Sequence, residues 1–137
     1  MNYCEYFADA ARTAFSGLEI YSNVDPSREW NGTATLEFNE PDEPKTRTLI
    51  SGAAIAERTI YAIVRAASLD DLETWTASLL DFCVASCETL QSQGSVYSWA
   101  IDGSGTTADV RGIVEGESFY GYVELTLIER TKNGVGN

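Results

Sequence analysis

Arg58-Thr59-Ile60-Tyr61-Ala62-Ile63-Val64-Arg65-Ala66, followed by Ala67-Ser68-Leu69-Asp70-Asp71, is the stretch that decides the fold. Its first nine residues are apolar on both faces in the middle. That pattern predicts a central strand, covered on each side. Ser68 has the hydroxyl of a helix N-cap, able to accept from a free amide of the first turn. Asp71, three residues on, makes an approximate capping box. Asp70, Asp71 and Glu73 lie where the helix dipole favours negative charge. Beyond them Leu69, Leu72, Trp75, Leu79, Leu80, Phe82, Cys83, Cys87 and Leu90 fall on one stripe at about 100° per residue, interrupted by Thr76 and Ser86. Gly94 stops the helix. Residues 58–93 thus read as a strand feeding a long amphipathic helix, which needs a sheet to bury its stripe.

The rest of the chain supplies that sheet. Residues 1–16 read as an N-terminal helix with Tyr3, Phe7, Ala10, Ala11 and Ala14 on one side and Asn2 as its cap. Leu18–Tyr21 is a short strand. Asp25-Pro26-Ser27 and Asn31-Gly32 are turn chemistry. Residues 33–51 read as a hairpin: Thr33–Asn39 alternates, Glu40-Pro41-Asp42-Glu43-Pro44-Lys45 is an acidic loop or tip, and Thr46–Ser51 returns. Residues 52–57 stay open between a loop and a helical turn. C-terminal strands fill 95–129: Val96–Ile101, a turn at Asp102-Gly103-Ser104-Gly105, Ala108–Val114, and a long last strand from Ser118 to Glu129. Residues 131–137 are a loose polar tail. The expected fold is α+β: one domain, with a mainly antiparallel or mixed sheet and two helices packed on one face. A sheet covered on one side alternates because its other side is wet. The wet side collects Thr35, Glu37, Asp109, Glu115, Glu124 and Thr126, with Arg111 as its main positive charge.

Length and composition bound the function. At 137 residues the chain buries a core without staples, and it has no apolar run of membrane-spanning length. Its first residues show no signal-peptide pattern, so none is expected. Three cysteines, an odd number, fit reduced thiols rather than a disulfide framework. There are 21 acidic against 9 basic residues, a formal charge of −12, which disfavours stable nucleic-acid binding. Histidine is absent. With it go the commonest general base, the commonest metal ligand, and Ser-His or Cys-His nucleophiles. Cys83 and Cys87 share one helix face, yet Cys4 is the one other sulfur; they read as small buried hydrophobes, not half a metal site. Asp70 and Asp71 point about 100° apart and do not converge for acid–base work. Gly103-Ser104-Gly105 is too short to cradle a phosphate. The aromatics Tyr3, Tyr6, Phe7, Phe119, Tyr120 and Tyr122 lack the basic neighbours of single-strand binders. No catalytic residue, metal or cofactor is expected.

Between Arg65 and Arg111 there is no Lys or Arg, while Asp70, Asp71, Glu73, Asp81, Glu88, Asp102 and Asp109 lie inside. Such a surface is either simply solvated, or it meets a basic protein or repels nucleic acid. In the loop 40–47, acidic Glu40, Asp42 and Glu43 precede basic Lys45 and Arg47. That split of sign suits a head-to-tail contact between copies.

The element order and two stretches, Ile60-Tyr61-Ala62-Ile63-Val64-Arg65-Ala66-Ala67-Ser68 and Glu117-Ser118-Phe119-Tyr120-Gly121-Tyr122-Val123-Glu124-Leu125, resemble the tail terminator (tail completion, minor capsid) proteins of long-tailed bacteriophages. The resemblance implies a non-enzymatic virion protein at the head–tail junction, assembled in the host cytoplasm. It would close the tail tube as a hexameric ring, with tail-tube and head-completion proteins as partners and no membrane. In that family sheets tend to line a lumen through which DNA passes, with helices outside. On this reading Glu37, Asp109, Glu115 and Glu124 face the lumen, and Glu40, Asp42, Glu43, Lys45 and Arg47 form the subunit interface. Another head–tail connector or tail-tube component is the nearest alternative. An acidic DNA mimic that occupies a nucleic-acid-binding protein is one of another class, but only Asp70, Asp81 and Glu88 align for it. A small enzyme is weakened by the missing histidine.

Overall fold

The computed structural model describes residues 2–23, 32–106 and 119–131. Within them lie two helices and six strands, in the order α1 (Tyr3–Ala14), β1 (Glu19–Ser22), β2 (Thr35–Asn39), β3 (Lys45–Thr48), β4 (Ala54–Ala66), α2 (Leu69–Ser92), β5 (Ser98–Thr106) and β6 (Phe119–Thr131). This is the expected α+β fold, with mostly antiparallel strands. No helix among the described residues is long and apolar enough to cross a membrane.

Both helices start on the caps the sequence offers. The Glu5 amide donates to Asn2 Oδ1 at 3.1 Å, and the Asp71 amide to Ser68 Oγ at 3.2 Å. Each cap satisfies an amide that has no partner within its helix. Gly94 follows α2 with φ +81°, a conformation that only glycine adopts without strain. The stripe of α2 buries Leu72, Leu79, Cys83, Cys87 and Leu90 over β4, β5 and β6, while α1 covers β1 and β2 with Phe7, Ala8 and Ala11. Aromatic rings close the seam: Phe7 stacks on Phe38 at 5.6 Å, and Phe15 meets Phe82 edge-on at 5.4 Å. At Gly121 on β6 the helix comes so close that any Cβ would collide with Thr76 Oγ1 and crowd Val64 Cγ1. The thiols of Cys4, Cys83 and Cys87 are free and buried, and burial pushes Cys4 up to about 11 and Cys87 up to about 12.

The sheet runs β1-β2-β4-β6-β5, with β3 also paired to β4. Only β1 and β2 are parallel. β6 occupies one edge of β4 along its whole length, from Ala54↔Thr131 to Ala66↔Phe119. β2 and β3 must therefore share the other edge, β2 on Tyr61–Arg65 and β3 on Ala54–Glu57.

The expected hairpin over 33–51 does not form, because β2 and β3 point the same way, end to end along β4. Residues 40–44 only step across the gap. Pro41 and Pro44 have no amide to offer a ladder, so pairing lapses there without the chain reversing. Two further expectations are corrected. Residues 54–57, left open on sequence, are the start of β4. Asp102–Gly105 is not a turn: it continues β5, with a bulge between Ile101 and Gly103. The strand expected at 108–114 and residues 132–137 of the tail lie outside the described residues.

β3, the first turn-side residues of β4 and the end of β6 form an arm that carries the sheet past the helices. All of β3 is exposed. Its tip closes through Leu49 and Ala53, whose amide–carbonyl bond is 2.7 Å, and leaves Ile50 fully exposed.

Candidate functional site

The alternation of each strand gives the sheet two unlike faces. On β4, Ile60, Ala62, Val64 and Ala66 are sealed under the helices. Tyr61, Ile63 and Arg65 point the other way and are half-buried. The sequence reading had this strand covered on both sides; among the described residues nothing covers the second side.

The pairing register places the neighbours on this uncovered face. Ile63 lies between Glu37 and Tyr122, Tyr61 between Asn39 and Glu124, and Arg65 between Thr35 and Tyr120. The Arg65 guanidinium sits over the Tyr120 ring, 5.0 Å from its centroid. On β1, the Tyr21 hydroxyl donates to Glu19 at 2.6 Å. On β5, the bulge turns Asp102 onto the same face, where the Thr126 hydroxyl donates to it. The Glu124 carboxylate, then burial, then Asp42 and Asp102, push the Tyr61 hydroxyl above its ordinary value. Toward the arm the sign changes. Lys45 and Arg47 are in register with Glu57 and Ile55, and Arg130 with Ile55, all on this face. The Arg130 guanidinium lies 5.2 Å from the Tyr97 ring centroid.

Of the residues expected on a wet face, Glu37 and Glu124 are there, one strand apart on either side of β4. Asp109 and Glu115 lie outside the described residues. The five expected interface residues do not stay together. Asp42, Glu43, Lys45 and Arg47 are exposed. Glu40 is not: it turns to the helix side and binds Arg58 through two bonds, Nε to Oε2 at 2.8 Å and Nη2 to Oε1 at 2.6 Å. Arg58 also approaches Glu129 at 3.6 Å and lies 4.6 Å above the Tyr3 ring. The Tyr3 hydroxyl donates to Glu129 at 2.6 Å, and burial, reinforced by that bond, raises its pKa well above the usual tyrosine range. This network fastens α1 to the gap between β2 and β3, so Glu40 serves the fold.

Sequence reasoning missed Tyr61, Ile63, Arg65 and Asp102 as parts of the face; Tyr120 and Tyr122 alternate in the sequence with Phe119, Val123 and Leu125 and so share the phase of Glu124. The signal for β4 was present: Thr59 and Arg65 are in phase with Tyr61 and Ile63, and a side that ends in Thr and Arg is not a sealed one. For Asp102 the glycines argued for a turn, and only pairing with β6 reveals the bulge.

A cleft of about 720 Å³ beside the C-terminus of α2 is lined by Gln91, Gly94, Ser95, Val96, Tyr97, Glu129 and Arg130. Its Gln91 is engaged on both sides of its amide: the amide nitrogen donates to the Tyr97 carbonyl at 3.1 Å, and the amide oxygen accepts from the Trp99 indole N–H at 3.0 Å. Among the described residues no group of three His, Cys, Asp or Glu is placed to hold a metal. The chain matches no known family model and no curated protein.

Proposed function

We propose that the protein is a structural component of a long-tailed phage virion, a tail terminator that closes the tail tube as a ring, with its uncovered sheet face lining a DNA passage. The observation that carries this reading is the one-sidedness of the sheet: both helices lie on one face, and the other carries Glu37, Asp102 and Glu124 around half-exposed tyrosines. DNA binds proteins by exchanging its counterions for Lys and Arg. A wall of carboxylates removes that attraction, so a duplex slides past without being held. Outward helices leave their exposed acidic residues, Asp70, Asp71, Glu73, Asp81 and Glu88, to solvent. Tail-tube and head-completion proteins are the partners this role requires.

The experiment combines imaging with charge reversal. Negative-stain images and native mass of the purified protein are expected to give closed rings. Glu124→Lys is expected to leave the rings intact and make them retain DNA at low salt. A protein that remains monomeric, or a Glu124→Lys ring with no new DNA affinity, overturns the reading.

A further inference from the structure

The sheet has three edges that no strand of the described residues covers, those of β1, β3 and β5, and two of them, β3 and β5, carry opposite charge on the same face. On one side β3 pairs with β4 alone, and its four residues are exposed. On the other, β5 pairs with β6 alone among the described residues. Within the described residues each such edge presents a row of backbone amides and carbonyls to which another strand can pair.

The charges on these edges are selective. Among the described basic residues, Arg12 pairs with Asp9, Arg58 with Glu40, Arg65 stacks on Tyr120 and Arg130 on Tyr97. Lys45 and Arg47 alone have no ion pair or ring contact within the described residues, and both stand on the uncovered face of β3. Antiparallel pairing of β3 with β3 of a second copy would set these cations against each other, which is unfavourable. The β5 edge carries Asp102 on that same face, and Glu124 lies one strand in, opposite Gly103.

We propose that β3 of one copy adds to the β5 edge of the next, continuing the sheet from subunit to subunit, with Lys45 and Arg47 beside Asp102 and Glu124. Strand directions permit it. β3 runs against β4, whereas β5 and β4 both run against β6, so β3 and β5 of like-oriented copies meet antiparallel. The two edges are also offset along the strands: β3 flanks the end of β4 that pairs with Ile128–Thr131, while β5 flanks Gly121–Ile128 of β6. Sheets that close on themselves need such a stagger, because their strands tilt to the axis. A contact between two different edges is heterologous, and it forms a ring wherever its rotation closes. This contact rests on the ring reading, but not on what passes through the ring.

The test is a charge swap read by sedimentation velocity. Lys45→Glu with Arg47→Glu is expected to weaken assembly by at least about tenfold, and adding Asp102→Lys to the same chain to recover most of that loss. Circular dichroism and urea midpoints establish that each variant folds. In wild-type assemblies, hydrogen exchange at the amides of residues 45–48 is expected to slow relative to a dilute monomeric sample. Assembly indifferent to the first change, loss without recovery, or unprotected β3 amides each overturn the contact, as does a wild-type protein that never assembles. Rings that obey the swap but gain no DNA affinity on Glu124→Lys keep the contact and remove the passage.

Discussion

The two faces of β4 are built by alternate residues of one strand, yet they answer to different surroundings. Ile60, Ala62, Val64 and Ala66 meet fixed neighbours from α2 and β6 and are fully buried. Among the described residues, Tyr61, Ile63 and Arg65 lie beside side chains of the neighbouring strands on the sheet. The first set is chosen for shape and volume. The second mixes rings, an aliphatic group and charge, which suits a surface that must hold its form while in contact with water. An uncovered face made this way is a built surface, stiffened by cross-strand pairs such as Arg65 on Tyr120.

That contrast can be broken most directly in the core. Leu125→Ala, under the helices, is expected to cost about 2–5 kcal/mol in urea unfolding, against about 1 kcal/mol for Ile63→Ala on the uncovered face. Equal losses would mean that something covers the second face in solution. Arg58→Ala comes next. It strips Glu40 and Glu129 of their partner where solvent scarcely reaches, and a loss of about 3 kcal/mol is expected. It should also loosen the 40–44 step, read as faster amide exchange there.

Alkaline pH probes the buried thiols first, and the raised hydroxyls of Tyr3 and Tyr61 add to the same sign at higher pH. The buried thiols are neutral in the folded protein, with Cys4 raised to about 11 and Cys87 to about 12 from an ordinary 9. An unfolded chain loses these protons first, so the thiols' contribution to stability is full below pH 9 and falls as pH rises through 9 to about 12. Thermal melts across that range check the sign; a rise would contradict thiol burial. Three thiols should react only after unfolding. Ser68→Ala is expected to cost about 1 kcal/mol for a lost N-cap, as little as Ile63→Ala. An unaltered denaturation midpoint would place the start of α2 elsewhere.

Much of this architecture is legible because local chemistry and tertiary packing agree. Ser68, the acidic first turn and the stripe to Leu90 each name the same helix. Glu37 and Glu124 are in phase with strands whose other residues are apolar, so their side of the sheet follows from counting by two. Where pairing decides, the sequence is mute. Pro41, Asp42 and Pro44 signal a break in the ladder, and a break serves a reversal or a step equally well. Only β6 filling one whole edge of β4 dictates the step. Asp102 has a similar ambiguity, since glycine marks turns and bulges alike. The acidic neighbours of Glu40 argue for an exposed side chain, whereas its partner, Arg58, stands across a gap that the sequence does not display.

The long ladder between β4 and β6 gives the molecule something like a reading frame. Core and arm are threaded on the same two strands, from Ala66↔Phe119 down to Ala54↔Thr131 without a register shift. Which way Lys45 and Arg47 face is therefore set by parity counted from Ala62 and Val123 in the core. A single residue inserted or deleted in mid-β4 shifts that phase, turning everything beyond it to the opposite side. Two residues restore it and merely change the reach. Along this strand, variation in length should be tolerated in even steps and rejected in odd ones.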